Sequence, residues 1–549
     1  MSFDKPDAII VGSGAGGGTA ARVLTERGWN VVVMEKGGRM DGDDFLPYDE
    51  LHFRDHKTLI PHLNDDPMIY AGLDDKSHIP SERWWEVNMV GGSTMVWDAN
   101  FPRYSREDFE VLTWLKDPPP GTSMVNWPWT YDEFQPYFER AEREWCVSGK
   151  ARQSPSQEPV RDGYDYPMAP LRPHASTAFL MEAFGKVGMQ PYLGPRGVSS
   201  QTFDGRPGCP FCGYNQFFGC AVNSRSSSPN TVLRRALATG RCELRTGHYV
   251  TRLDFADGRI KGVFYLTRPG GEEQYLAAPR VFVSVQTIQS ARLFLYSEIP
   301  DPNDMVGHYL TYHTKANAEV TFKNLPVWDL GPEYQPRTAI GSLQLRDLYV
   351  IDDPSTYLTK GGKFSIYDPY TCTTPLRLIK GASLDAKRTN VWGDELVQYL
   401  SELRSQGGVS FSFTGDAMSL HSNRVELDDQ TKDPWGIPVA RTYYHHHQYD
   451  RDLSRYALDR VIAAMVDAGG ELRKYELQTE ANPGYGHVHG TLRAGKDPGA
   501  AVLDESCQSH TVKGLYVLDA AFMPTAGASN PSITMIANAY RVCESVPKA

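Results

Sequence analysis

Three shortages in this 549-residue chain each remove a class of protein. Its eight cysteines are too few for a disulfide framework at this length. No window approaches the ~18 uninterrupted apolar residues that a membrane helix needs, so no membrane partner is expected. Basic residues are outnumbered: 56 Lys and Arg against 67 Asp and Glu leave a net charge of −11, which argues against nucleic acid and anionic membranes as partners. Met1 to Pro6 lead into the first apolar stretch without a hydrophobic leader, so a cytoplasmic location is expected. What is present is a globular composition, 40% hydrophobic and 22% charged, with length for two domains, separate or interleaved.

The most informative stretch follows at once. Ala8 to Val11 reads as a buried strand, and Gly12-Ser13-Gly14-Ala15-Gly16-Gly17 fits G-x-G-x-x-G. A helix-compatible run spans Thr19 to Arg27, a second strand Val31 to Met34, and Glu35 closes the unit. The chemistry requires that order. Gly12 permits the tight turn, Gly14 lets a pyrophosphate approach the backbone, and Gly17 lets helix and strand pack closely. The helix N-terminus holds phosphate, and the acid bonds an adenosine ribose. This unit alone leaves NAD, NADP and FAD open, and Lys36 and Arg39 keep a 2′-phosphate in play.

Further along, Gly37 to Arg83 is loop-rich, and Gly91-Gly92-Ser93-Thr94 forms a polar turn suited to a phosphate or a flat ring. Thr130 and Glu133 make a capping box before a helix over Phe134 to Trp145. Ala151 to Pro173 reads as a linker, and Ser176 to Val187 as an amphipathic helix. A helix through Ala238, strands over Cys242 to Leu253, a hairpin around Arg268-Pro-Gly-Gly271, a strand over Val281 to Val285 and a helix from Ile288 to Tyr296 continue a doubly wound domain. From Asn317 alternating segments (Ala318 to Phe322, Ala339 to Leu345, Val409 to Phe413) predict antiparallel strands with one face solvated. An amphipathic helix over Asp450 to Ala468 follows. The His445-His446-His447 run is read as structural, because consecutive side chains of an extended chain cannot all face one ion.

The tail carries the densest chemistry. His487-Val-His489-Gly490-Thr491 offers imidazoles in a glycine-rich loop. Leu515 to Leu518 is a strand ending in Asp519, and Asn530-Pro531 precedes a last helix over Met535 to Glu544.

With these motifs in order, the chain resembles the glucose–methanol–choline (GMC) family of FAD-dependent oxidoreductases from end to end. The resemblance rests on the loop closing at Glu35, on Val90-Gly-Gly-Ser-Thr-Met-Val-Trp97, on Val306-Gly-His-Tyr-Leu310 with His313, and on the tail from His487 to Pro531. It implies a discontinuous α/β Rossmann-like FAD-binding domain (1–150, 201–310 and 481–549). A linker excursion (151–200) and an α+β substrate-binding domain with an antiparallel sheet (311–480) complete it. FAD would contact Gly12, Gly14, Ala15, Gly17 and Glu35, then Gly91, Gly92, Ser93 and Thr94. The backbone of Val250 would lie beside the adenine, and Asp519, Ala520, Asn530 and Ser532 on the ribityl-diphosphate side. His487 and Asn530 would form the catalytic pair, His487 taking the hydroxyl proton as hydride passes to flavin N5. His489 is read as a packing residue.

Three features depart from the family pattern. Gln286 stands where relatives carry Gly. Val96 precedes Trp97 where covalently flavinylated relatives use His, so non-covalent FAD is expected. Cys209, Cys212 and Cys220 offer three thiolates, with Asn215 where a fourth would have stood, and no metal is expected there. The resulting expectation is oxidation of an alcohol group on a sugar, glycoside or amino sugar, with O2 or another electron acceptor. Trp84, Trp85 and Trp97 are candidates to stack on a pyranose. An aryl or aliphatic alcohol, or a non-redox flavin lyase or photodecarboxylase on the same scaffold, is the alternative.

Overall fold

The computed structural model describes residues 3–40, 42–45, 67–71, 79–80, 86–115, 117–212, 218–323, 325, 343–367, 392–477 and 486–548. Trp84, Trp85 and Asn215 lie outside these residues, as does most of the strand expected over 339–345.

Four uniformly apolar stretches and one half-buried edge build a five-stranded parallel sheet. Its order is Leu515–Val517, Val281–Val283, Ala8–Val11, Val31–Glu35, Cys242–Thr246. The inner strands are buried along their whole length because helices cover both faces. Helix Ala15–Glu26 packs on Ser532–Ser545 and Val232–Ala238, so the first and last helices of the chain share one layer. Residues from all parts of the chain therefore meet at the carboxyl edge of this sheet, where α/β proteins bind ligands. The first helix begins at Ala15, four residues before the expected start at Thr19. Three glycines thus lie inside it despite their poor helix propensity. Packing explains this at Gly17, where a Cβ would sit 1.9 Å from the Gly12 carbonyl oxygen.

An antiparallel ribbon of Tyr249–Ala256, Arg259–Leu266 and Gln274–Ala277 is inserted as expected. The capping box at Thr130 and Glu133 is formed, and its helix runs Tyr131–Glu144, starting directly after the cap rather than at Phe134.

The second large sheet has six strands in the order Glu471–Leu477, Thr314–Lys323, Gln406–Gly415, Gly362–Tyr367, Leu343–Leu345, Tyr192–Leu193. Period-2 alternation divides its two faces. Ala316, Phe413 and Phe364 stand in register on one, followed by Ala318, Phe411, Ile366 and Leu343. Helix Gln448–Asp467 covers this face, with Ser176–Lys186 packed on that helix. Burying each of these phenylalanines contributes about 1.5–3 kcal/mol. The opposite face carries Lys315, Thr414 and Lys363 in one row and Asn317, Ser412, Ser365 and Gln344 in the next. This polar face borders an internal cavity rather than bulk solvent, which corrects the expectation of a solvated face.

His447 caps the Gln448–Asp467 helix, its Nδ1 accepting from the Tyr449 amide, and His446 is buried against Tyr444, so the histidine run is structural. No described helix is long and apolar enough to cross a membrane.

Candidate active site

The cavity, about 860 Å³, lies between the carboxyl edge of the parallel sheet and the polar face of the six-stranded sheet. That is near the top of the ~300–1,000 Å³ range of ordinary ligand pockets. Gly12, Gly14, Ala15 and Glu35 line one end, with Val250 nearby, and Gly92, Ser93 and Thr94 line its wall. Asp519, Ala520, Asn530, Ser532 and His487 line it as well. Gly17 and Gly91 do not. Gly17 faces the Gly12 carbonyl, and the missing side chain of Gly91 makes room for Pro229.

The phosphate end has the features an extended dinucleotide needs. Gly14 is the N-cap of the first helix, and no side chain caps it. A Cβ at Gly14 would meet protein only at 3.9 Å, so no packing within the chain demands a glycine there. A glycine there leaves the helix start open to close approach by a ligand. The last helix also presents an N-terminus without a side-chain cap, at Pro531 and Ser532 on the cavity wall. Two sets of open amides thus converge on one space, a site for anionic phosphate or ring oxygens.

Glu35 is clamped. Its carboxylate accepts from the Ser13 amide (3.1 Å), the Ser13 hydroxyl (2.6 Å) and the Gly37 amide (2.8 Å). Burial still pushes its pKa up. The same Ser13 Oγ accepts from the Gly91 amide (2.8 Å), tying the polar turn to the first loop. Asp519 accepts from the Val285 amide (3.0 Å), Ser290 Oγ (2.5 Å) and the Ala521 amide (3.0 Å), and burial raises its pKa to about 6.

Gln286 now has a physical account. It sits at φ +84°, a conformation that favours glycine. Its side chain caps helix Thr287–Tyr296, Oε1 accepting from the amides of Ile288 (2.7 Å) and Gln289 (3.4 Å). The cap offsets part of the backbone cost.

At the other end, His487 and Asn530 are in contact and belong to a longer chain of hydrogen bonds. Lys363 Nζ donates to Gln344 Oε1 (3.4 Å), Gln344 Nε2 to Asn100 Oδ1 (2.7 Å), and Asn100 Nδ2 to Asn530 Oδ1 (2.9 Å). Asn530 Nδ2 lies 3.0 Å from His487 Nε2, His487 Nδ1 2.9 Å from His313 Nδ1, and His313 Nε2 3.1 Å from the Ala526 carbonyl. The Ala526 carbonyl at the far end can only accept, so every donor points the same way. The tautomers follow: His313 carries its proton on Nε2, and His487 carries its proton on Nδ1. The Nε2 lone pair of His487 therefore faces Asn530 and the cavity. Burial and the neighbouring Lys315, His489 and Lys363 charges hold the His487 pKa well below the usual imidazole range, so the ring is neutral near pH 7.

His489 is fully buried, its ring against His313 and its Nε2 3.5 Å from the Tyr104 hydroxyl. It packs behind the site, and burial pushes its pKa down to about 3. Trp97 lines the cavity but is edge-packed on Phe101 and Trp145, its indole N–H donating to the Ser226 carbonyl. Lys36 lies over the Tyr249 ring, 4.6 Å from its centroid. Cys209, Cys212 and Cys220 do not converge as a ligand set. Among the described residues the group that does is Asp304, His308 and His421, which does not line the cavity.

Sequence reasoning missed Asn100, Gln344, Lys315 and Lys363, and gave His313 no role. One signal was available. His313, Lys315 and Asn317 alternate along an extended run, which puts them on one face.

A cavity that runs from a buried acid beside a glycine-rich helix start to a neutral imidazole beside an amide suits an oxidoreductase with an extended dinucleotide cofactor. The chain belongs to the GMC oxidoreductase family: residues 6–315 match the N-terminal model of that family and residues 419–539 its C-terminal model. It is 26% identical to 2-methyl-1,2-propanediol dehydrogenase of Mycolicibacterium austroafricanum over 98% of this chain and 95% of that protein. It is likewise 26% identical to 6'''-hydroxyparomomycin C oxidase of Streptomyces lividus, over 98% and 91%. The fold matches that of an Aspergillus oryzae formate oxidase variant with a TM-score of 0.66 at 15% identity, covering 99% of this chain and 98% of that one. The cofactor is FAD, and the protein is an FAD-dependent alcohol or sugar oxidoreductase.

Proposed function

We propose that this protein oxidises a hydroxyl group of a polyhydroxylated substrate, a sugar or glycoside, with His487 as the general base. One observation carries the reading: the unprotonated Nε2 of a neutral His487 faces the cavity beside the Asn530 amide. When bound, FAD supplies the hydride acceptor. His487 removes the hydroxyl proton, and Asn530 orients the substrate oxygen and stabilises negative charge as it develops there. Its amide is pre-aimed because Asn100 holds Oδ1 from behind. Gly12, Gly14, Ala15 and Glu35 hold the adenosine and phosphate end, with Asp519, Ala520 and Ser532 toward the other. The polar face formed by Asn317, Ser365, Ser412 and Thr414 supports a substrate with several hydroxyls. The two relatives are named for a diol and a hydroxyparomomycin. Val96 before Trp97 supports non-covalent FAD, which acid precipitation would release to the supernatant.

Anaerobic mixing with a panel of sugars and alcohols tests the reading directly. Bleaching of the flavin band is expected, and its absence with every sugar and alcohol would sink the proposal. His487→Ala should slow that bleaching about 10²–10⁴-fold while retaining FAD. Near-normal reduction would remove His487 from the role. Repeating the screen with and without oxygen sorts O2 from other electron acceptors.

A further inference from the structure

Beside His487 the polar face carries two buried lysines with no carboxylate partner among the described residues. Lys315, Thr414 and Lys363 occupy one register line on three neighbouring strands, so the two lysine side chains flank Thr414 on the polar face. Their Cα atoms are two strand spacings apart, ~10 Å. Lys315 lines the cavity and donates to Thr414 Oγ1 (2.6 Å). Lys363 is fully buried and reaches only two neutral oxygens, Gln344 Oε1 (3.4 Å) and Ser365 Oγ (3.3 Å). Behind them Arg196 is buried with no hydrogen bond on any of its three guanidinium nitrogens. Among the described residues none of these three cations is within 4 Å of a carboxylate.

The acids around this row are committed elsewhere or set apart. Glu158 is bonded by the Tyr192 and Tyr166 hydroxyls and approached by Arg346 at 3.7 Å. Glu476, at the outer end of the same face, pairs with Lys474 (2.8 Å). Asp98 attracts Arg196 without reaching it, and one of its oxygens is itself unpartnered. Burial without a counter-ion pushes both lysines toward the neutral amine, Lys315 down to about 7, and an anionic ligand beside them would restore their charge.

We infer that the Lys315–Thr414–Lys363 row is a subsite for an anionic oxygen group, so that the alcohol oxidised here also carries a carboxylate or a phosphate. The inference rests on the alcohol-oxidising reading above and narrows it: a cationic amino sugar is disfavoured. His313 shares a strand face with Lys315 and bonds His487, so an anion at Lys315 and Thr414 leaves the carbinol carbon of the same small molecule beside the base.

Holoenzyme is mixed anaerobically with matched sets such as glucose, gluconate and glucose 6-phosphate, and glycerol with glycerate. The anionic member of a set should reduce the flavin with KM about 10- to 100-fold below its neutral partner. Whether gluconate or the phosphate gains identifies the anion. Lys315→Gln and Lys363→Gln should collapse that ratio by a similar factor. A second readout does not depend on turnover: acetate, but not acetamide, should perturb the flavin absorption band saturably in wild type and lose that effect in Lys315→Gln. If neutral members reduce the flavin as well as the anionic ones and acetate has no effect, the subsite is refuted while the alcohol-oxidising reading stands. If no member of any set reduces the flavin but acetate still binds, that reading fails and the subsite survives.

Discussion

His313 does not itself line the cavity, yet the hydrogen-bond chain makes the proton position on His487 depend on it. The sharpest perturbation is His313→Phe, which keeps most of the ring volume and removes both nitrogens. In the wild type, His313 donates to the Ala526 carbonyl and accepts from His487 Nδ1 (2.9 Å), leaving the His487 Nε2 lone pair toward the cavity. Without it, the Nδ1–H of His487 loses its acceptor, at a cost of about 1–3 kcal/mol for a buried orphan. The ring escapes that cost by moving its proton to Nε2, where it then faces the Asn530 amide, donor against donor. Asn530 cannot simply flip, because Asn100 donates to its oxygen. That clash offsets part of the bias, so the productive tautomer is depopulated by at most about 5- to 150-fold. Stopped-flow flavin reduction in His313→Phe should slow by that factor with FAD content unchanged. His313→Gln supplies the control: one amide oxygen to accept and one N–H to donate reproduces the original pattern, and should restore the rate to within about tenfold of wild type. The argument is refuted if His313→Phe reduces its flavin at the wild-type rate, or if the Gln variant is no better than Phe.

Three further outcomes follow from particular contacts. Gly14→Ala should lose FAD affinity while keeping the fold, because its Cβ would meet protein only at 3.9 Å, whereas Gly17→Ala should lose the fold itself, because its Cβ would sit 1.9 Å from a carbonyl oxygen; flavin content and melting temperature separate the two. Gln286→Ala keeps the unfavourable φ and loses the cap, so it should destabilise by about 0.5–2 kcal/mol, while Gln286→Gly relieves the backbone and should come out near neutral in denaturant titration. Burial lowers the Lys315 pKa from its usual value to about 7, so between pH 7 and 10.5 the folded state binds fewer protons than the unfolded one. Stability gains from this group as pH rises through that window, by at most about 1.4 kcal/mol per pH unit. Thermal melts at pH 7 and 9.5 should show a larger gain in the wild type than in Lys315→Met, where only Lys363, lowered by burial as well, still contributes.

How much of this was legible in the sequence depends on the range over which each signal acts. The phosphate end was legible because its physics is local: a strand, a turn, a helix start and an acid fall within Ala8 to Glu35, and each constrains the next. Gln286 looked like a defect for the opposite reason, since its cap satisfies amides that only the folded helix Thr287–Tyr296 presents. The hydrogen-bond chain behind His487 draws on residues 100, 313, 344, 363, 487 and 530, and no pattern along the chain announces that Asn100 stands behind Asn530. The lysine row lies between these extremes. Alternation places His313, Lys315 and Asn317 on one face, but the register that aligns Lys315 with Thr414 and Lys363 appears only when three strands pair. Lys363 also begins the hydrogen-bond chain that ends on His487 and His313. A lysine in the same row as Lys315 is thus joined to the proposed base, so a change at Lys363 reaches His487 along the amides. Substrate choice and proton transfer in this site should not be separable by mutating either end alone, and a Lys363→Gln, His313→Phe double variant should depart from additivity in its rate of flavin reduction.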